Sequence, residues 1–248
     1  MKSDMIYRRP LVHCVTSPVT MKSVADAIVA VGGRPLMSME PSEFAEVYQA
    51  AKACYLNLGM TTAARFTVMQ SAQREALLQN VPIVFDAVGA ALSEVRRKRA
   101  RSLLTAGVTV LHGNISELSA LLSLPTTAQG VDAGTSRYDA AEIARQAYEE
   151  FGCMAVVSGA TDAVAGPDGV TTIDGGTPLL GDAVGMGCVL SALFAVAVTQ
   201  DAPQQQLIAM CRRLKRAGES AAQKKVGFGY FSAEVISILA QPEEGKDG

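Results

Sequence analysis

Short apolar runs alternate along this chain with longer amphipathic ones, and that alternation constrains the fold more than any single residue. The short runs are Leu11–Val15, Ala53–Leu58, Val81–Phe85, Val108–Leu111, Met154–Val157 and Asp162–Ala165, each read as a strand. Between them the apolar spacing becomes helical. Val24, Ile28 and Val31 fall on one face, and Phe66, Met69, Ala72 and Ala76 on one face of a longer helix. Asp139 followed by Glu142 has the spacing of a capping box, with Ile143, Ala144, Ala147 and Tyr148 continuing on one stripe. Strands alternating with helices predict an α/β fold, a mostly parallel sheet with helices on both faces.

At 248 residues the chain fits one large domain or two small ones. No stretch reads as a linker and no repeat is visible, so one domain over residues 1–248 is expected, with its core at about 10–240 and tails at Met1–Arg9 and Gln241–Gly248. The 49% apolar content supports a buried core and excludes disorder. With 22 Lys and Arg against 24 Asp and Glu the chain lacks the basic balance of a nucleic-acid binder, and it has no Trp for base stacking. Its longest apolar run, Val189–Val198, is about half the roughly 20 residues of a membrane span. The first residues carry Asp4, Arg8 and Arg9, so no signal peptide is expected. Five scattered cysteines without a C-x-x-C pair suggest reduced thiols, and a cytoplasmic location is expected.

In open α/β sheets, ligands bind beyond the carboxyl ends of the strands. Here those ends read Asn57-Leu58-Gly59, Asp86, His112-Gly113-Asn114 and Ser158-Gly159, which predicts one polar rim. The segment Gly181 to Cys188 adds a glycine-rich loop just before the apolar run from Val189. A loop of this kind at a helix start presents backbone N–H groups to a phosphate, and a cysteine in that first turn is expected to favour its thiolate. The alternative is that Gly185 and Gly187 serve close packing and Cys188 is a buried filler. A dinucleotide fingerprint is disfavoured because Leu190 stands where its third glycine or alanine belongs, and no P-loop signature is present. Asp86 and Glu117 follow separate strands and are candidates to hold a hydrated Mg²⁺ whose shell substrate phosphates complete. Glu117 also suits the first turn of a helix capped by Asn114. The basic run Arg96 to Arg101 reads as a solvated helix face. His13 and His112, the only histidines, have no metal-ligand spacing, which argues against zinc.

Together these segments resemble the hydroxyethylthiazole kinase family, a thiamine-salvage group with a ribokinase-like fold. The resemblance runs from about Pro10 to Thr199 and weakens toward the C-terminus. Val12 to Met21 looks like the family's V-H-C-I-T-N-x-V-T-M. Pro35-Leu36-Met37, Asn57-Leu58-Gly59, Asp86 to Ala90, Gly113-Asn114-x-x-Glu117, Gly130-Val131-Asp132, Ser158-Gly159 and Gly185-x-Gly187-Cys188 follow in the same order. The resemblance implies phosphoryl transfer from ATP to the hydroxyethyl group of 4-methyl-5-(2-hydroxyethyl)thiazole. Gly185, Gly187 and Cys188 then match the anion hole and catalytic position, Cys188 standing where related kinases carry an aspartate base. Met37 and Gly185 match thiazole contacts, and Asp86 and Glu117 the Mg²⁺–phosphate acids. Ser158 and Asn114 fall at nucleotide positions, as does His112. The family assembles as a homotrimer with sites at subunit interfaces.

Several positions depart from the pattern. His112 replaces an arginine that touches ATP phosphate, so ATP binding is expected to strengthen as pH falls through roughly 6.5, the unperturbed histidine value. Val184 and Met186 replace threonines, Ser17 an asparagine and Ala160 a glutamate. Ala87 and Ala91 replace a proline and a glycine, and Asp182 adds a charge beside the loop. These departures keep two alternatives in view: a kinase for another small alcohol, and a binding or regulatory protein that has lost turnover.

Overall fold

A computed structural model describes residues 9–124 and 138–241. Its centre is an eight-stranded sheet in the order β2-β1-β3-β4-β5-β6-β7-β8. The strands are β1 (Leu11–Val15), β2 (Arg34–Leu36), β3 (Ala51–Asn57), β4 (Ile83–Asp86), β5 (Val110–Asn114), β6 (Met154–Ser158), β7 (Asp162–Gly166) and β8 (Gly169–Ile173). All neighbours from β2 through β6 pair in parallel, and β7 and β8 close the far side antiparallel. The α/β expectation holds, in the ribokinase-like form.

Two strands escaped the sequence reading. β2 is three residues long and contains Pro35, which only a sheet edge tolerates. β8, the other edge, is mostly exposed, so it lacks an apolar run. Strands β4 and β5 begin two residues later than the apolar runs suggested and end one and three residues later, because Asp86 and His112-Gly113-Asn114 are themselves paired strand residues.

Period-two alternation sends the strand side chains into separate cores on the two faces. Val12, Cys14, Tyr55, Val84, Val110 and Val156 enter one; Val15, Leu56, Phe85, Leu111 and Val157 enter the other. The first core is covered by α1 (Met21–Ala30), α8 (Met186–Ala197), α9 (Pro203–Gln223) and α10 (Phe228–Leu239). The second is covered by α2 (Phe44–Ala50), α3 (Ala63–Leu78), α4 (Glu94–Ala106), α5 (Ile115–Leu121) and α6 (Ala140–Phe151). The short α7 (Leu179–Asp182) precedes the glycine loop.

Helix α8 fixes the site. Every residue from Cys188 to Ala197 is buried, as expected of a helix apolar on all sides. It packs on α1 and α9 and lies over β3 and β4. Its N-terminus therefore opens at the carboxyl end of β4. Replacing the fully buried Phe194 with Ala would cost about 3–5 kcal/mol of this packing.

Two smaller expectations are corrected. The run from Arg96 to Arg101 lies on α4 but is not simply a solvated face. Arg96 Nη1 donates to the Leu58 carbonyl at 3.1 Å, Arg99 Nη1 to the Thr61 carbonyl at 2.7 Å, and Arg101 to the Leu121 carbonyl. These arginines hold the chain after β3 and α5. At the start of α6, Asp139 accepts from the Glu142 N–H, but the Glu142 carboxylate turns to Arg145 and Gln146, so half of the capping box forms. The complete box is Asn114 with Glu117 at α5.

Candidate active site

Parallel pairing lines up the polar strand ends. Asn57 pairs with Asp86, Asp86 with His112, and Asn114 with Ser158. The rim expected from the sequence is thus one row across β3, β4, β5 and β6, and α8 begins over it.

At its centre is a buried cluster. Asp86 Oδ2 accepts from Tyr55 OH at 3.1 Å and from Asn57 Nδ2 at 2.9 Å, while Oδ1 accepts from the Val88 N–H at 3.0 Å. Asn57 Nδ2 also approaches Cys188 Sγ at 3.2 Å. Tyr55 and Asn57 are two residues apart, so both point to the face that α8 covers. Asn57 Oδ1 accepts from the Gly59 N–H at 2.9 Å, closing the turn after β3. The sequence reading placed Asn57 on the rim without a role and missed Tyr55. The available signal was a polar pair at strand spacing inside an otherwise apolar run.

Above this cluster the backbone turns at Gly185, whose φ of 90° suits glycine. A Cβ there would also stand 2.7 Å from the Thr20 methyl, so the close approach of α1's start to the loop forbids a side chain. Gly187 is exposed in the first turn of α8. The first N–H groups of α8 have no partner within the helix and form the positive end of its dipole.

Cys188 is not the thiolate expected from that dipole. Burial, reinforced by the Asp86 carboxylate, pushes the thiol up to about 12, against a smaller opposite influence from Thr20 and Asn57. Desolvation outweighs a helix terminus when an anion is already in contact. Thr20 Oγ1 itself is buried and makes no hydrogen bond of normal length.

Glu117 stands on the other side of Asp86. Its Oε1 accepts from the Gly89 N–H at 2.7 Å and its Oε2 from the Asn114 N–H at 2.9 Å. Burial nevertheless pushes its carboxyl up to about 7; the Asn114 amide pulls it down and Asp86 pushes it further up. Two buried carboxylates that repel each other are what a divalent cation would relieve. Among the described residues no three His, Cys, Asp or Glu side chains form a metal cluster. Mg²⁺ does not require one, because it keeps water and substrate phosphates in its shell. Asp86 and Glu117 fit that role.

His112 is buried beneath the start of α8. It is 2% exposed, with Nδ1 2.6 Å from Ser191 Oγ and Nε2 3.0 Å from Ser158 Oγ. Its ring meets Phe194 edge-on at 5.4 Å, and the site of a Gly187 Cβ lies 3.9 Å from its Cε1. The imidazole is wedged beneath α8, and burial lowers its pKa from the ordinary value. That direction runs against the expectation that acid would charge His112, because desolvation favours the neutral ring. Ser158 is held by the same bond, half-buried on the rim. Asn114 is exposed, its side-chain oxygen engaged by the Glu117 N–H. Met37 follows β2 and is half-buried against the core that holds Cys188, three strands away from Asp86. Asp182 is exposed at the end of α7. The Gly130-Val131-Asp132 motif lies outside the described residues.

A model of the hydroxyethylthiazole kinase family matches residues 3–244. The chain is 34% identical over 235 residues to a hydroxyethylthiazole kinase of Nitratidesulfovibrio vulgaris, covering 94% of this chain and 88% of that one. The chain belongs to the hydroxyethylthiazole kinase family. Another relative, from Haemophilus influenzae, is 33% identical over 237 residues, covering 94% of this chain and 90% of the other. A solved family structure from Pyrococcus horikoshii OT3 superposes with a TM-score of 0.87 at 30% identity, covering 98% of this chain and 92% of that one. The Bacillus subtilis pyridoxal kinase, solved as an ADP complex, shares only the fold, with a TM-score of 0.64 at 15% identity over 84% of this chain and 91% of that one. All five cysteines are unpaired, and among the described residues no helix is long and apolar enough to cross a membrane.

Proposed function

We propose that this single domain transfers the γ-phosphoryl group of ATP to the hydroxyethyl group of 4-methyl-5-(2-hydroxyethyl)thiazole. The observation that carries the reading is the placement of α8: its first turn, where the Gly187 and Cys188 N–H groups have no partner within the helix, begins where Cys188 Sγ meets the Asn57 amide that also bonds Asp86. Phosphoryl transfer needs little covalent chemistry from a protein, and positioning with charge stabilisation supplies most of the rate. The amides of Gly185 to Cys188 take the charge that develops on the transferring group. Met37 and Gly185 contact the thiazole; Ser158 and Asn114 are the nucleotide contacts, with His112 holding Ser158 in place. Mg²⁺, held by Asp86 and Glu117, would neutralise phosphate charge.

A protonated Cys188 changes its part in the reaction. As a neutral thiol it orients the alcohol oxygen by hydrogen bonding instead of removing its proton at the outset. In a loose transition state the nucleophile's proton is lost late, so a strong resident base is not required.

The site's edge is unusually apolar for solvent. Val19, Met60, Leu92 and Val184 are 52–78% exposed, each within three residues of Thr20, Gly59, Gly89 or Gly185. A second copy covering them would complete the pocket, which suits a homotrimer with sites between subunits. Light scattering tests the assembly. For the activity, the protein is incubated with Mg-ATP and the thiazole alcohol and ADP is measured. Alcohol-dependent ADP supports the reading. Binding of the alcohol without ADP would favour the binding-protein alternative, and turnover only with other small alcohols would favour a kinase for another small alcohol.

A further inference from the structure

Away from the cluster around Asp86, one buried cation has no part in the reaction as described. Lys215 on α9 is 5% exposed. Its Nζ donates to the carbonyls of Gly159 at 3.1 Å, Ala160 at 2.9 Å and Gly175 at 3.1 Å, and lies 3.4 Å from Asp162 Oδ1. An ammonium has three protons, and three carbonyls use them all. The acceptors come from two separate segments, the β6–β7 loop and the turn after β8. Because β7 is antiparallel to both neighbours, both segments emerge on the rim where β6 ends at Ser158. Thr161 Oγ1 donates to Asp174 at 2.6 Å and the Gly176 N–H to Glu219 Oε1 at 2.6 Å, tightening the same junction. One helical turn beyond Lys215, α9 meets α7 at Gly218, where a Cβ would stand 2.7 Å from Leu180 Cδ1. The face of α9 carrying Lys215, Gly218 and Glu219 therefore braces the loop after Ser158, the Gly175 turn and the short helix that feeds the Gly185 loop.

We infer that Lys215 is a positioning residue for the nucleotide: a tethered cation that gathers rim carbonyls and so sets the loops on either side of ATP. The inference rests on the nucleotide reading of this rim. Lys215→Met keeps the apolar stem and removes the donors, and Lys215→Ala leaves room for a free cation. Calorimetry then gives dissociation constants for ATP and, separately, for the thiazole alcohol. The Met variant should bind ATP at least tenfold more weakly and the alcohol within twofold of wild type. Methylammonium added to the Ala variant should recover at least threefold in ATP affinity, while tetramethylammonium, which has no N–H, should recover nothing. Should Asp162, left unpaired, prevent accumulation of these variants, Lys215→Met with Asp162→Asn removes that charge. Glu219→Gln, half-buried on the same face, should weaken ATP about threefold in any case. Equal losses for both ligands, unchanged ATP binding across the variants, or equal rescue by the two amines would overturn the inference. A wild type that binds ATP but forms no ADP overturns the kinase reading alone, and one that binds no ATP overturns the nucleotide reading itself.

Discussion

The two halves of the rim use buried polar groups in opposite ways. Around β6, β7 and α9 each group is matched: His112 has a serine at each nitrogen, Lys215 three carbonyls, and Asp162 both the Gly159 N–H and the Lys215 ammonium. Around β3, β4 and α8 the carboxylate oxygens also find donors, but the groups oppose one another. Asp86 and Glu117 repel, Cys188 is held protonated against Asp86, and Thr20 Oγ1 lacks a normal partner. A satisfied network rigidifies its surroundings, whereas one with opposed groups keeps free energy that a ligand can recover. The matched half is scaffold, and the unmatched half is where chemistry belongs.

Single cuts should therefore differ in size between the halves. Asp86→Asn removes the central charge, and kcat/KM should fall by about 10²–10⁴-fold, the several kcal/mol expected of a charge tied to the transition state. Gly185→Ala combines a left-handed backbone with a clash against the Thr20 methyl, and should cost about 10²-fold by displacing the amides about 1 Å. Adding Thr20→Ser to that variant relieves the clash but not the strain, so part of the loss should return. Cys188→Ala should lower kcat about tenfold, the worth of one orienting hydrogen bond, with little effect on binding. A loss of 10³-fold or more would restore Cys188 as a base. In the matched half, Ser158→Ala should weaken ATP binding by about threefold to tenfold. Larger effects for Ser158 than for Cys188 would break the contrast between the halves.

The same contrast governs how much was readable beforehand. Strand ends, the Gly185 loop, Asp86 and Glu117 were legible because parallel sheets place sites at strand ends and because glycine and acid positions carry local signals. Protonation states were not. Whether Cys188 is a thiol or thiolate, and whether His112 can charge, depends on burial beneath α8, which no local pattern states. Lys215 was hidden for a related reason. It occupies the apolar stripe of α9 with Ile208, Cys211 and Gly218, where a lysine reads as one more surface charge until its carbonyl partners are seen. The arginines of α4 were misjudged in the same way, since their partners are backbone carbonyls of distant segments. Edge strands β2 and β8 lacked apolar runs because edges bury little.

The smallest effect isolates the carboxylate repulsion itself. With Glu117 raised to about 7 in the fold against an ordinary value near 4.3, the native state holds a proton the unfolded chain has released across that interval. Stability of the metal-free protein should then fall as pH rises from about 4.5 to 7, and the penalty is fully felt above 7. Glu117→Gln cannot ionise and keeps one acceptor oxygen for the backbone of Gly89 or Asn114. At pH 5 it should be no more stable than wild type, having lost half of the capping box. By pH 8 the difference in Tm should have moved in its favour by several °C, each 1 kcal/mol producing about 2–4 °C in a chain of this size. Added Mg²⁺ should raise the wild-type Tm at pH 8 and leave the variant nearly unchanged, since only the wild type has two carboxylates to neutralise. A Tm difference that stays constant from pH 5 to 8 would show that Glu117 titrates as an ordinary surface acid, and the two halves of the rim would then be equally well satisfied.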